Sequence, residues 1–136
     1  IQKGISNQTA TDNSIISSKQ NSLSKSEAII ICKENGFNIN GVITFSSENA
    51  SSRNFWANPS KKNLLENWWL IINEISKKQL HVFYIPGNSI LENQINLRSD
   101  KPNLIDLQII NQNNVFIDSR SKLNMTKWYL KSIQIS

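Results

Sequence analysis

Histidine and cysteine occur once each in this chain of 136 residues, as His81 and Cys32. One thiol cannot close an internal disulfide, and one His with one distant Cys does not make a zinc site. Cys32 lies in the apolar run from Ala28, so a buried, inert thiol is expected. A Ser or Cys nucleophile would need His81 as its base, and His81 sits inside an apolar strand-like segment that favours a structural role. Only four glycines are present, and none builds a phosphate-cradling loop. No apolar run approaches the roughly 20 residues of a membrane-spanning helix, and no charged-then-apolar leader opens the chain. These absences point to a cytoplasmic protein that needs no membrane, metal or other cofactor. The first residue is Ile rather than Met, which suggests a module cut from a longer parent chain.

What is present argues for a packed domain. Hydrophobic residues make up 38% of the chain and four are tryptophan, enough to rule out wholesale disorder. The net charge is +5 and the sequence pI about 9.5. Positive side chains recur in polar connections between apolar segments rather than in one run.

Residues 1–23 are rich in Ser, Asn, Gln and Thr and read as a flexible arm or linker, with Ile15-Ile16 as a possible short strand. A single domain is expected over 24–136. Ser24-Lys25-Ser26-Glu27 has capping-box spacing for a helix that runs through Ala28 to Glu34 and ends at Asn35-Gly36. Its Ile cluster should face a core. Gly41 to Ser46 reads as a strand, followed by a small, polar loop to Asn54. An aromatic strand ends at Trp56, with a turn at Asn58-Pro59. The next segment is ambiguous. Leu64, Trp68, Ile71, Ile72 and Ile75 fit a helical stripe, but Trp69 and Leu70 make the run apolar on all sides. The strand-like Leu80 to Ile85 needs a partner, so a hairpin of Asn67 to Ile75 and Leu80 to Ile85 is preferred. A second polar loop spans Leu97 to Asn103. Leu104 to Ile110 and Val115 to Ile117 form another hairpin. Asp118 to Lys122 offers N-cap candidates for a second helix through Leu130, with a closing strand near Ser132 to Ile135. The expected fold is α+β, with a strongly bent, mostly antiparallel, pseudobarrel-like sheet and two helices.

The candidate chemistry lies in the loops. Arg53, Arg98 and Arg120 are the only arginines, each in a separate polar stretch flanked by Ser or Asn. Arginine's planar fork reads guanine edges, while Asn and Lys support base or phosphate contacts. The expected DNA-binding set is Arg53, Arg98 and Arg120 with Asn49, Asn54 and Lys101 beside them. Phosphate contacts would come from Lys61, Lys62, Lys77 and Lys122. Trp56, Trp68 and Trp69 read as core rather than stacking platforms. Two alternatives stand beside this reading. A metal-dependent nuclease of the PD-(D/E)XK-like kind would use Asp100, Asp106 and Asp118 with Lys101 or Lys122, but an acid-x-Lys spacing within a strand is missing. A protein-interaction module would expose an apolar patch, for which Trp128-Tyr129 is the candidate.

With these residues in view, the chain resembles the B3-like DNA-recognition modules of bacterial restriction endonucleases. The likeness covers Ser24 to Ser136 and rests on element order, the basic polar loops, and the run from Arg53-Asn54-Phe55-Trp56 to Phe83-Tyr84-Ile85-Pro86. It implies a curved sheet straddling the major groove of double-stranded DNA. Its arms would be the Ser46 to Asn54 and Leu97 to Asn103 loops. Thr44-Phe45-Ser46 stands where a catalytic lysine would be wanted, which favours binding without cleavage.

Overall fold

A computed structural model describes residues 23–135, and the expectations for the arm and for Ile15-Ile16 lie outside them, apart from Leu23. The described chain is α+β. One helix, α1 (Lys25–Glu34), is followed by seven strands: β1 (Val42–Ser47), β2 (Phe55–Ala57), β3 (Trp68–Glu74), β4 (Gln79–Ile85), β5 (Leu107–Gln112), β6 (Val115–Asp118) and β7 (Tyr129–Gln134). Short 3₁₀ turns fill several connections. The strands form two sheets, one in the order β1-β3-β4-β7 and one in the order β2-β5-β6. All pairings are antiparallel except β1 with β3, which is parallel.

The expected central hairpin is the middle of the larger sheet. Trp68 pairs with Ile85 and Glu74 with Gln79, and six of the seven β3 residues are buried. Side chains alternate across a strand, and here both faces are covered. Trp68, Leu70 and Ile72 enter a core shared with Phe55, Leu107, Ile109 and Phe116 of the smaller sheet. Ile71 enters a second core with Ala28 and Cys32 of α1, together with Leu80, Val82 and Ile133. The molecule is therefore layered: helix, four-stranded sheet, three-stranded sheet. Burial on both sides explains why the segment read as apolar all round.

The α1 boundaries follow their local chemistry. Ser24 Oγ accepts from the Glu27 N–H at 3.1 Å, and Glu27 Oε1 accepts from the Ser24 N–H at 3.0 Å, which completes the capping box. Gly36 at φ +93° closes the helix, with Phe37 N–H donating to the Cys32 carbonyl. Ala28 and Cys32, one turn apart, are the residues that α1 buries. The Ile cluster faces the core only in part, since Ile30 is 55% exposed. Leu23, assigned by sequence to the arm, is buried in the same core.

Two expectations are corrected. The second helix through Leu130 does not form. Asp118 does accept from Ser121 N–H and Oγ, as an N-cap would. However, Lys122 adopts a left-handed φ of 69°, and Asp118 N–H donates to the Leu123 carbonyl. The chain thus folds back to bridge Asn124 to Ile117 before a 3₁₀ turn at Thr126–Trp128 leads into β7. The single bent sheet is instead two sheets that do not close into a barrel. They are joined where Glu48, just past β1, bridges to Phe55 of β2. The parallel β1–β3 pairing requires a long crossover, and residues 48–67 supply it by way of the smaller sheet.

Two outcomes test these contacts. Ser24→Ala, which removes the cap, is expected to lower unfolding stability by about 1 kcal/mol, measured by urea denaturation. Burial pushes the Cys32 thiol up to about 11, so a thiol reagent at pH 8 should modify it only after denaturant is added.

Candidate functional site

The three-stranded sheet has one face in the core and one in the open. Phe55 and Ala57 of β2 point inward, and Trp56 between them is 51% exposed. Trp56 pairs with Gln108 across the ladder. Beyond Gln108 on the same face lie Ile110 and its partner Ile117. The expectation that Trp56 belongs to the core is overturned, whereas Trp68 is 1% exposed and Trp69 packs against Phe37 and Tyr84. Strand alternation was the available signal. With Phe55 and Ala57 on one side, Trp56 must take the other.

At the β2 C-terminal end of this face is a cleft of about 410 Å³ lined by Trp56, Asn58, Gln108, Arg98, Asp100 and Asp106. Two loops build it. The Leu97 to Asn103 loop is held by a bridge from Leu97 to Ile105 and by Arg98 N–H donating to the Leu104 carbonyl. The turn after β6 brings Arg120 to Asp106, with Nη2 to Oδ2 at 3.0 Å. Arg98 donates to Asp100 through Nε at 2.9 Å and Nη2 at 2.6 Å. This two-point pairing raises the Arg98 pKa and lowers that of Asp100. It engages two of the five guanidinium N–H donors and leaves three outward. Lys122 lies on the same face, lining a smaller cleft of about 140 Å³ with Ile110, Ile117 and Ser119.

Arg98, Arg120 and Lys122 therefore share one face, and Lys101 adjoins Arg98 in the loop. Lys61 and Lys62 lie nearby on the connection from β2 to β3. There Ser60 bridges to Leu104 and Lys61 N–H donates to the Asn103 carbonyl. The remaining members of the expected set lie elsewhere. Arg53 and Asn54 precede β2, at the opposite end of this strand from the Arg98 loop, with Arg53 five residues before the cleft residue Asn58, a span of at most roughly 17 Å at a strand's rise per residue. Arg53 faces the buried Glu48 at 3.7 Å, and Glu48 also accepts from Ser76 N–H and Oγ. Asn49 Oδ1 accepts from the backbone and hydroxyls of Ser51 and Ser52, so this side chain organises its own loop. Lys77 approaches Glu74 at 3.8 Å. The two expected arms thus occupy opposite ends of the sheet.

The three aspartates do not assemble. Asp118 is fully buried and its oxygens accept from Gln108 N–H, Arg120 N–H, Ser121 N–H and Ser121 Oγ. Asp100 and Asp106 face separate arginines. Among the described residues no three His, Cys, Asp or Glu side chains gather as a metal cage would. The Trp128-Tyr129 patch is also not exposed. Trp128 is buried and Tyr129 packs on Phe83 and Phe116.

A polar network missed by sequence reading runs through the core. His81 Nε2 meets Glu74 Oε1 at 2.7 Å and its Nδ1 meets Ser132 Oγ at 2.6 Å. Asn111 Nδ2 donates to Glu74 at 3.0 Å, and Tyr129 OH is hydrogen-bonded to Ser132. The Ser, His and acid are in contact, but His81 has no exposed surface and lines neither the Trp56 cleft nor the Lys122 cleft. The network ties β3, β4, β5 and β7 together.

Burial lowers the His81 pKa below 6.5, against the opposing pull of Glu74. Below that pH an unfolded chain takes up a proton that the folded chain refuses. Stability is therefore full above about pH 6.5 and declines as the pH falls beneath it. The urea midpoint should be flat from pH 8 to 7 and drop towards pH 5.5, and His81→Gln should flatten that drop. Comparison with protein-family models, curated proteins and solved structures found no match.

Proposed function

We propose that this chain is a non-catalytic module that binds double-stranded DNA sequence-specifically, the target-recognition part of a restriction endonuclease, as its resemblance to B3-like modules implies. The observation that carries the reading is the meeting of Arg98 and Arg120, from separate loops, on one face with Lys101 and Lys122 at its margin. A guanidinium braced by a carboxylate keeps free donors while losing little side-chain freedom on binding. Such a pair suits base recognition, and Lys101 and Lys122, the latter with its ammonium on the Ser119 carbonyl at 2.9 Å, suit phosphate contact.

The test is retention of randomised duplex DNA at two salt concentrations, without magnesium, followed by sequencing of the retained pool. The expected result is an enriched motif, lost on Arg98→Ala or Arg120→Ala at a cost of about 1–3 kcal/mol per base contact. Arg53→Ala, at the far end of the sheet, should leave the motif intact. Lys122→Ala should weaken all sequences alike and reduce the salt slope by about one unit. Salt-sensitive retention without a motif would reduce the reading to a basic surface, and no retention at low salt would sink it.

One observation favours the protein-interaction reading as second choice. A cleft of about 510 Å³ between the β2–β3 connection and the segment after β4 is lined by Leu65 and Leu91, which are 72% and 58% exposed. That reading would stand first if the DNA selection failed.

A further inference from the structure

We infer that the Trp56 cleft holds a single nucleobase turned out of its stack, so that the DNA bound on this face is locally opened. The inference rests on the DNA-binding reading and names what that site takes. Its ground is the indole itself. Trp68 and Trp128 are buried at 1% and 7% exposure, whereas Trp56 is half in water. Its backbone is nevertheless rigid, because Phe55 and Ala57 are anchored in the core and Ser46 Oγ donates to the Trp56 carbonyl at 2.6 Å. An open aromatic face on an anchored strand is a stacking surface. Intact duplex DNA presents base edges and phosphates but keeps its base faces covered. Such a surface finds its partner only in a base that has left the stack.

The cleft walls suit a base edge. Gln108 stands opposite Trp56 in the ladder, its backbone is held by Asp118 at 2.8 Å, and its side-chain amide offers a donor and an acceptor to the cleft it lines. Asn58 commits its amide nitrogen to the Ile105 carbonyl at 2.9 Å, which leaves its side-chain oxygen as an acceptor. Arg98, braced by Asp100, adds free donors. The volume of about 410 Å³ lies within the range of roughly 300–1,000 Å³ common for small-ligand sites. Around it, Arg98, Lys101 and Arg120 outnumber Asp100 and Asp106, so the rim carries net positive charge for the flanking phosphates.

The experiment measures affinity of the whole chain for the retained duplex with a single mismatch placed at each position in turn. A mismatch lowers the cost of extruding a base, so one position should bind several-fold tighter when mismatched. Trp56→Ala should lose about tenfold in affinity, the scale of one lost base stack, together with the mismatch preference. Trp56→Phe should retain part of both. Because Trp56 lies in neither core, both variants should keep the far-ultraviolet circular dichroism of the parent. Duplex binding with no favoured mismatch position and an unchanged Trp56→Ala variant would overturn the inference and leave the DNA reading standing. Failure to bind duplex or single-stranded oligonucleotides would remove both.

Discussion

Burial of β3 on both faces is the constraint on which the rest of the molecule depends. Trp68, Leu70 and Ile72 demand cover on one side and Ile71 on the other. Each such side chain is worth about 1.5–3 kcal/mol when buried, so neither face can be left to water. The helix supplies one cover and the smaller sheet the other. The smaller sheet reaches its place because the β1-to-β3 crossover runs through it, which ties the parallel pairing and the second layer to one event. The Glu74–His81–Ser132 network sits at the end of the same hairpin. Its polar atoms find partners within the fold, as burial requires.

What the sequence made legible was local. The capping box at Ser24, the Gly36 stop and the hairpin around Ser76–Gln79 each rest on signals within a few residues, and each formed. The hairpin turn near Asn111–Asn114 was readable for the same reason, with Asn113 and Asn114 both at positive φ. The second helix was not readable. Asp118 makes the bonds to Ser121 that a cap would, but the path of the chain beyond it is decided by Lys122 turning left-handed and by Leu123 accepting from the Asp118 N–H. Neither is marked in the residues. The parallel pairing of β1 with β3 and the division into two sheets depend on contacts far apart in the chain, which no local pattern encodes.

The site divided along the same line. That arginines in polar loops were candidates was visible, as was their separation along the chain. Which of them meet was not, and the structure gathers Arg98 and Arg120 while leaving Arg53 at the far end. The carboxylate partners were equally hidden, although Asp100 is two residues from Arg98, because pairing with Asp106 across a turn needs the fold. Trp56 was misread because tryptophan usually seeks a core, and the period-two signal in Phe55-Trp56-Ala57 was outweighed by that tendency.

The open face of the smaller sheet has one more consequence. Trp56 and Gln108 belong to neither hydrophobic core, while Phe55, Ala57, Leu107 and Ile109, their neighbours in the chain, belong to one. Structural and surface positions therefore alternate residue by residue along the same strands. Mutations at every second position can accumulate without threatening the fold, so the chemistry of this face is free to drift over evolutionary time on a scaffold that stays fixed. A face built this way is suited to diversification, and an engineer could vary it as a small library with the intervening residues held constant.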